Sequence, residues 1–124
     1  MILSSLSTTH CNTQECIRID AKGVILGRGV ARRLGIKDGD CVNVFRDVTR
    51  KGDLYIAISA AANGYPLHKR AEQYHLHSRD LARLILTEAG VTQENTALFK
   101  VGDAVEYDGA IVLPIITRIN YANI

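Results

Sequence analysis

Six arginines have the type and spacing of residues that contact nucleic acid. Arg28, Arg32 and Arg33 fall in one predicted short helix, and Arg18 lies on the strand before it. The planar guanidinium group binds phosphates and guanine edges through paired hydrogen bonds, so this grouping predicts contact with DNA. The alternative is a basic helix face that water alone solvates. The second half offers a thinner basic set, which consists of Lys69, Arg70, Arg79 and Arg83.

Three histidines raise the question of a metal site. His75 and His77 are two residues apart in a predicted strand, which places both imidazoles on one face, and His68 is a candidate third. A metal would need further ligands, and only Glu72 stands at a completing position. The sequence therefore favours a solvent-facing or partly stacked histidine pair, and it predicts no metal and no cofactor.

The motifs that identify enzymes are missing. Gly27-Arg28-Gly29 lacks both the Gly-Lys-Ser/Thr ending of a phosphate-binding loop and the third glycine of a dinucleotide fingerprint. No nucleophile elbow, catalytic carboxylate pair or cysteine–histidine dyad is convincing. We therefore do not expect an enzyme.

The elements that carry these residues follow from apolar spacing. An apolar run at residues 24–26 predicts a strand, residues 28–34 form about two helical turns, and Gly35 ends the helix. Residues 41–45 and 54–59 are predicted to form a hairpin. In the second half, Ser78 is the predicted N-cap of a helix at residues 79–89, and Asp108-Gly109 predicts a hairpin turn.

This order of elements resembles the AbrB/MazE/SpoVT family of swapped-hairpin DNA-binding domains over about residues 17–59. The family signature is a strand, a Leu-Pro step, a short arginine-bearing helix ending in Leu-Gly-Ile, then Gly-Asp and two strands. Residues 33–36 (RLGI) and 37–40 (KDGD) match it, while Gly27 stands where the family usually has proline. The resemblance implies DNA contact by basic residues of the first strand and the helix. Arg18 and Arg32 match those positions most directly.

The second half repeats the first in altered form. Residues 25–32 (ILGRGVAR) align with residues 76–83 (LHSRDLAR) at a constant offset of 51, so Arg28 meets Arg79 and Arg32 meets Arg83. One unit of about 45 residues is too small to bury a core alone. In the resembled family, two copies interleave as a dimer and close a β-barrel, which removes exposed sheet edges.

The predicted fold is mainly β with two short helices: a swapped-hairpin (cradle-loop type) β-barrel built from two related halves. Its predicted parts are a flexible arm at residues 1–14, an AbrB-like half-barrel at 15–59, a linker at 60–66 and a second, divergent half-barrel at 67–119. One chain would then form a fused pseudo-dimer, and a homodimer is the alternative.

Composition and charge give further expectations about the core, the surface and the cellular location of the protein. Hydrophobic residues make up 47% of the 124-residue chain, enough for a core, and no apolar run has the length of a membrane span. Residues 18–51 carry nine Lys/Arg and four Asp, a net charge of +5, whereas residues 88–108 have a net charge of −4. Three cysteines without a Cys-x-x-Cys motif are expected to be free thiols, which predicts a cytoplasmic protein.

By resemblance, the expected partner is double-stranded DNA, and the expected role is a transcriptional regulator or an antitoxin-like protein that also binds a protein. The main alternative is a protein-interaction module on the same fold without DNA binding, which the acidic second half favours. A third hypothesis, a double-psi-like barrel enzyme, depends on analogy between barrel folds alone. No Gly-Ser dipeptide occurs, and Asp38 and Asp40 make a poor catalytic pair.

Overall fold

The computed structural model describes residues 13–60, 62–91 and 95–118. Residues 1–12 of the predicted arm lie outside this range, and a single 3₁₀ turn at Thr13–Glu15 precedes the first strand. The first half contains β1 (Cys16–Asp20), β2 (Gly23–Leu26), α1 (Arg28–Leu34), β3 (Cys41–Arg46) and β4 (Leu54–Ser59). The second half contains β5 (Tyr65–Pro66), β6 (His68–Arg70), β7 (Gln73–Leu76), α2 (Arg79–Glu88), β8 (Ala97–Lys100), β9 (Val105–Tyr107) and β10 (Ala110–Ile115).

The strands of the described residues form two antiparallel sheets. The first sheet has the order β6-β7-β2-β1-β8, and the second has the order β5-β3-β4-β10-β9. Alternation of apolar and polar residues gives each strand an inner and an outer side. In β1, for example, Ile17 and Ile19 are buried while Arg18 between them is exposed. The prediction of a mainly β fold with two short helices is confirmed.

Both sheets combine strands from the two halves of the chain. β2 pairs with β7 at the centre of the first sheet, and β4 pairs with β10 in the second. β1 pairs with β8, and β3 pairs with β5. The two sheets are also linked to each other, because Val101, just after β8, forms a bridge with Ile115 of β10.

The helices are bounded by the predicted capping residues. α1 ends at Gly35, which has a left-handed backbone (φ 72°) and whose N–H bonds to the carbonyl of Arg32. α2 begins after Ser78, whose hydroxyl oxygen accepts a hydrogen bond from the N–H of Leu81 at 3.1 Å. α1 packs against β1, β7 and β10, and α2 packs against β1 and β2. Each helix therefore touches at least one strand of the other half.

Two turns and one cysteine refine the sequence-based expectations. The predicted hairpin at Asp108-Gly109 is confirmed, and both residues have positive φ angles, 53° and 80°. Tyr65 and Pro66, the last residues of the predicted linker, form β5. The expectation of free thiols is wrong for Cys16, which is disulfide-bonded; Cys41 is free and buried. Cysteine spacing in a sequence does not determine pairing.

The core lies between the two sheets and the two helices. Its fully buried side chains come from both halves and include Ile17, Leu26, Val30, Val42, Ile56, Leu76, Ile85, Phe99 and Leu113. Neither helix in the described part of the chain is both long and apolar enough to cross a bilayer.

The two phenylalanines of the chain allow a matched test of this core. Phe99 on β8 is 0% exposed and Phe45 on β3 is 45% exposed. We expect Phe99→Ala to lower the free energy of unfolding by about 3–5 kcal/mol, because it leaves a cavity in the core. Phe45→Ala should cost about 1 kcal/mol or less. Urea denaturation followed by circular dichroism measures both, and equal losses would contradict the core assignment.

Candidate functional site

The outer face of the first sheet carries a row of polar side chains contributed by both halves. Arg18 on β1 lies opposite Ile25 on β2, Ile25 lies opposite His75 on β7, and His75 lies opposite His68 on β6. Side chains of directly opposed residues point to the same side of a sheet. Arg18 of the first half therefore shares one face with two histidines of the second half.

Next to this row is a cavity of about 210 Å³ between the β1–β2 turn and β7. Its charged or titratable lining residues are Asp20, Lys22, Arg70, His75 and His77. We call these residues, together with Arg18 and His68, the cationic face. The single carboxylate in the cavity lining, that of Asp20, accepts hydrogen bonds from the backbone N–H groups of Lys22 (2.8 Å) and Gly23 (3.0 Å). These hydrogen bonds stabilise the β1–β2 turn, which contains Lys22.

The three histidines form one cluster. The ring centroids of His75 and His77 are 6.1 Å apart with a stacked orientation, which confirms the predicted partly stacked pair. His68 joins them, with its ring centroid 4.9 Å from that of His77. Within the described residues, no group of three or more histidine, cysteine or acidic side chains is arranged to hold a metal ion.

The surroundings of His75 disfavour its protonated form. Partial burial lowers the pKa of His75 below the ordinary value of 6.5, and the positive charges of Arg70 and His77 lower it further. The carboxylate of Asp20 acts in the opposite direction but is the weakest of these influences. Burial and nearby positive charge therefore favour the neutral form of the His75 imidazole.

Two of the six predicted DNA-binding arginines are engaged in contacts within the chain. Arg28 forms an ion pair with Glu72 in the β6–β7 turn. Arg33 donates a hydrogen bond to the backbone carbonyl of Gly102, and its guanidinium is 3.7 Å from the carboxylate of Glu15. These contacts join residues that are far apart in the sequence.

The other four arginines are exposed. Arg18 lies on the cationic face, Arg32 is in the last turn of α1, and Arg79 and Arg83 are on α2. Among the described residues, no hydrogen bond or ion pair engages these four side chains. The structure thus places Arg18 on the same face of the first sheet as the histidines and Arg70, two strands away from His75, an arrangement that the sequence did not predict. The one available signal was the basic and histidine-rich composition of residues 68–77.

A second cavity, of about 280 Å³, lies at the second sheet and is lined by residues of β4 and β10 and by the segment after β10. Its charged lining residues are Asp53 and Arg118, one of each sign. The cationic face is the stronger candidate site because several positively charged or protonatable groups converge there.

Neighbouring arginines of α1 give a matched test of the contacts described above. We expect Arg33→Ala to lower the free energy of unfolding by about 1–2 kcal/mol, since it removes a hydrogen bond to a partly buried carbonyl. Arg32→Ala should change it by about 0.5 kcal/mol or less, as for other exposed sites. Chemical denaturation of both variants is the measurement. An equal loss for the two would show that the Gly102 contact does not stabilise the fold.

The pKa of His75 can be measured directly. We expect the His75 imidazole to titrate below 6.5, and Arg70→Ala to move its pKa upward, because a nearby positive charge has been removed. Arg50→Ala, in the loop between β3 and β4, should leave the value unchanged. Proton–carbon correlation spectra of the histidine rings recorded over a pH series would report these values. A His75 pKa above 6.5 in the unaltered protein would contradict the described surroundings.

Comparison of the chain with protein-family models, with curated proteins and with solved structures finds no match. The resemblance of residues 17–59 to AbrB-type domains stays a prediction carried by those residues alone.

Proposed function

We propose that this protein binds double-stranded DNA through the cationic face of its first sheet, as a transcriptional regulator or an antitoxin-like protein. The observation that carries the proposal is the convergence of Arg18, Lys22 and Arg70 with three histidines on one side of one sheet. When such groups neutralise phosphates, counterions are released from the DNA, and this release supplies a large share of the affinity of a protein for a duplex.

The separation of charge supports this orientation. The acidic residues Glu106 and Asp108 lie on the β9–β10 hairpin, which belongs to the second sheet. The cationic face belongs to the first sheet. A duplex seated on the first sheet would therefore meet the basic part of the chain and not the β9–β10 hairpin.

We further infer that the two halves are interleaved copies of one hairpin–helix–hairpin unit. The second strand of each hairpin pairs with its counterpart: β2 with β7, and β4 with β10. α1 packs on β7, and α2 packs on β2, so each helix covers a strand of the other half. A swapped-hairpin pseudo-dimer requires this pairing of strands and packing of helices between the two halves. The Val101–Ile115 bridge would help to close the two sheets into a barrel.

Within this proposal the arginines have different tasks. Arg18 is placed to contact phosphates or base edges from the cationic face, and Arg32, Arg79 and Arg83 are available to contact flanking phosphates. Arg28 and Arg33 mainly position α1, through Glu72 and Gly102. This assignment leaves four of the six arginines predicted from the sequence as DNA-contacting residues.

Titration of a labelled duplex tests the proposal by fluorescence anisotropy. We expect binding at low ionic strength with an affinity that falls steeply as salt rises. Arg18→Ala should weaken binding by about 5–10-fold and reduce the slope of log affinity against log salt by about 1, because one phosphate contact is lost. Arg50→Ala is the matched control: an exposed arginine on the β3–β4 loop, which should bind like the unaltered protein.

Equal losses for the two substitutions would indicate charge attraction without a defined face. The absence of any affinity at low salt, with the fold intact, would overturn the DNA-binding proposal. It would favour the second candidate, a protein-interaction module. One observation supports that candidate: the β9–β10 hairpin exposes Val105 and Tyr107 on one side of β9, and Tyr107 is 73% exposed. Contiguous exposed apolar surface is typical of protein contact sites.

A further inference from the structure

We propose that the cavity between the β1–β2 turn and β7 is a binding site for a single tetrahedral oxyanion of the phosphate or sulfate class, held by Lys22, Arg70, His75 and His77, with uptake of a proton by His75. The ligand is defined by its chemistry. It is either a free anion or a phosphodiester group of a duplex, and the site itself does not depend on DNA binding.

The lining of the cavity has the charge that such an anion requires. Lys22 and Arg70 supply two permanent positive charges, and His75 and His77 add ring N–H donors. The one competing anion is Asp20, and its carboxylate already accepts two backbone hydrogen bonds from the turn. Both bonds end on Oδ1, so that Asp20 holds the turn that carries Lys22 and Gly23.

The cavity also has the size for this ligand. Its volume of about 210 Å³ is roughly seven times the ~30 Å³ that one water molecule occupies. A tetrahedral oxyanion and several bridging waters fit in that space. Val24, Ile25 and Leu76 of the paired strands β2 and β7 also line the cavity, and the side chains of Val24 and Leu76 are buried in the core beneath it.

Charged and titratable groups face His75 from every neighbouring element. Arg70 and His68 come from β6, and Asp20 and Arg18 come from β1. Lys22 comes from the β1–β2 turn, and His77 follows β7. Partial burial first, and the charges of Arg70 and His77 next, outweigh the effect of Asp20 and lower the pKa of His75. An anion in the cavity compensates the positive charge, so that protonation of His75 becomes favourable.

The direction in which pH changes the affinity for the anion follows from this coupling between anion binding and protonation of His75. Because the complex binds more protons than the free protein, the affinity for the anion rises as pH falls through the pKa that His75 has in the complex. The affinity stops rising once the pH is below the pKa that His75 has in the free protein, which is the lower of the two values. Sulfate is the appropriate probe, since it stays a dianion throughout this range and any pH dependence then belongs to the protein.

Sulfate titrations of the full chain test the site, with the histidine ring signals observed by proton–carbon correlation spectroscopy and sodium chloride used to hold ionic strength constant. We expect saturable shifts at His75 and His77, and an apparent Kd about 5–10-fold lower near pH 6 than near pH 8. The pKa of His75 should rise when sulfate is bound.

Substitutions of the cavity residues test where the anion binds. Arg70→Ala should abolish the saturable shift, and His75→Gln should remove most of the pH dependence while leaving weak binding. Lys51→Ala, an exposed lysine of the β3–β4 loop, is the control and should bind sulfate like the unaltered protein. Thermal unfolding of each variant establishes that the fold is retained.

The outcomes separate this inference from DNA binding. If His75 and His77 show no saturable shift near pH 6 in the folded protein, the site is disproved, whether or not a duplex binds. Binding that is equal near pH 6 and pH 8 disproves the proton uptake. If sulfate binds and duplex DNA does not, the oxyanion site stands with a free anion as its ligand. If a duplex binds and displaces sulfate, the source is a phosphodiester.

Discussion

The pairing of β2 with β7 is the contact on which the rest of the structure depends. Each strand comes from a different half of the chain, and together they form the centre of the first sheet. The two strands approach closely at one end, where a Cβ atom on Gly23 would lie 2.0 Å from the carbonyl oxygen of Leu76. Only glycine fits there. Because a half of about 45 residues cannot bury its own apolar surface, this pairing is a condition for the core.

The same pairing determines where the charges lie. Arg18 belongs to the first half and Arg70 to the second, and the β2–β7 contact places both on one sheet. Without it, Lys22 would not border the same cavity as His75 and His77. The two arginines of α1 that make contacts within the chain contribute to the same arrangement. Arg28 ties α1 to Glu72 in the β6–β7 turn, and so joins the halves through an ion pair as well as through backbone hydrogen bonds.

Local signals in the sequence predicted both helices and several strands, but not β5, β6 or the contacts between distant elements. Ser78 caps α2 and Asp108-Gly109 turns a hairpin because these conformations depend on a few adjacent residues. The contacts of Arg28 and Arg33 span 44 and 69 residues, so no periodicity could indicate them. For the same reason, the sequence suggested His68, His75 and His77 as a cluster but gave no sign of Lys22 or Asp20 beside them.

The presence of imidazoles in the cationic face has a physical explanation. A lysine or arginine at position 75 would add a permanent charge beside Arg70 and His77 on a partly buried site, at an electrostatic cost in the free protein. A histidine lowers that cost, because burial and the charge of Arg70 lower the pKa of His75 and so favour its neutral form. It can regain the proton when an anion provides the compensating charge. The face can therefore be stable when unoccupied and more strongly cationic when occupied, which is the property expected of a surface that binds phosphate reversibly.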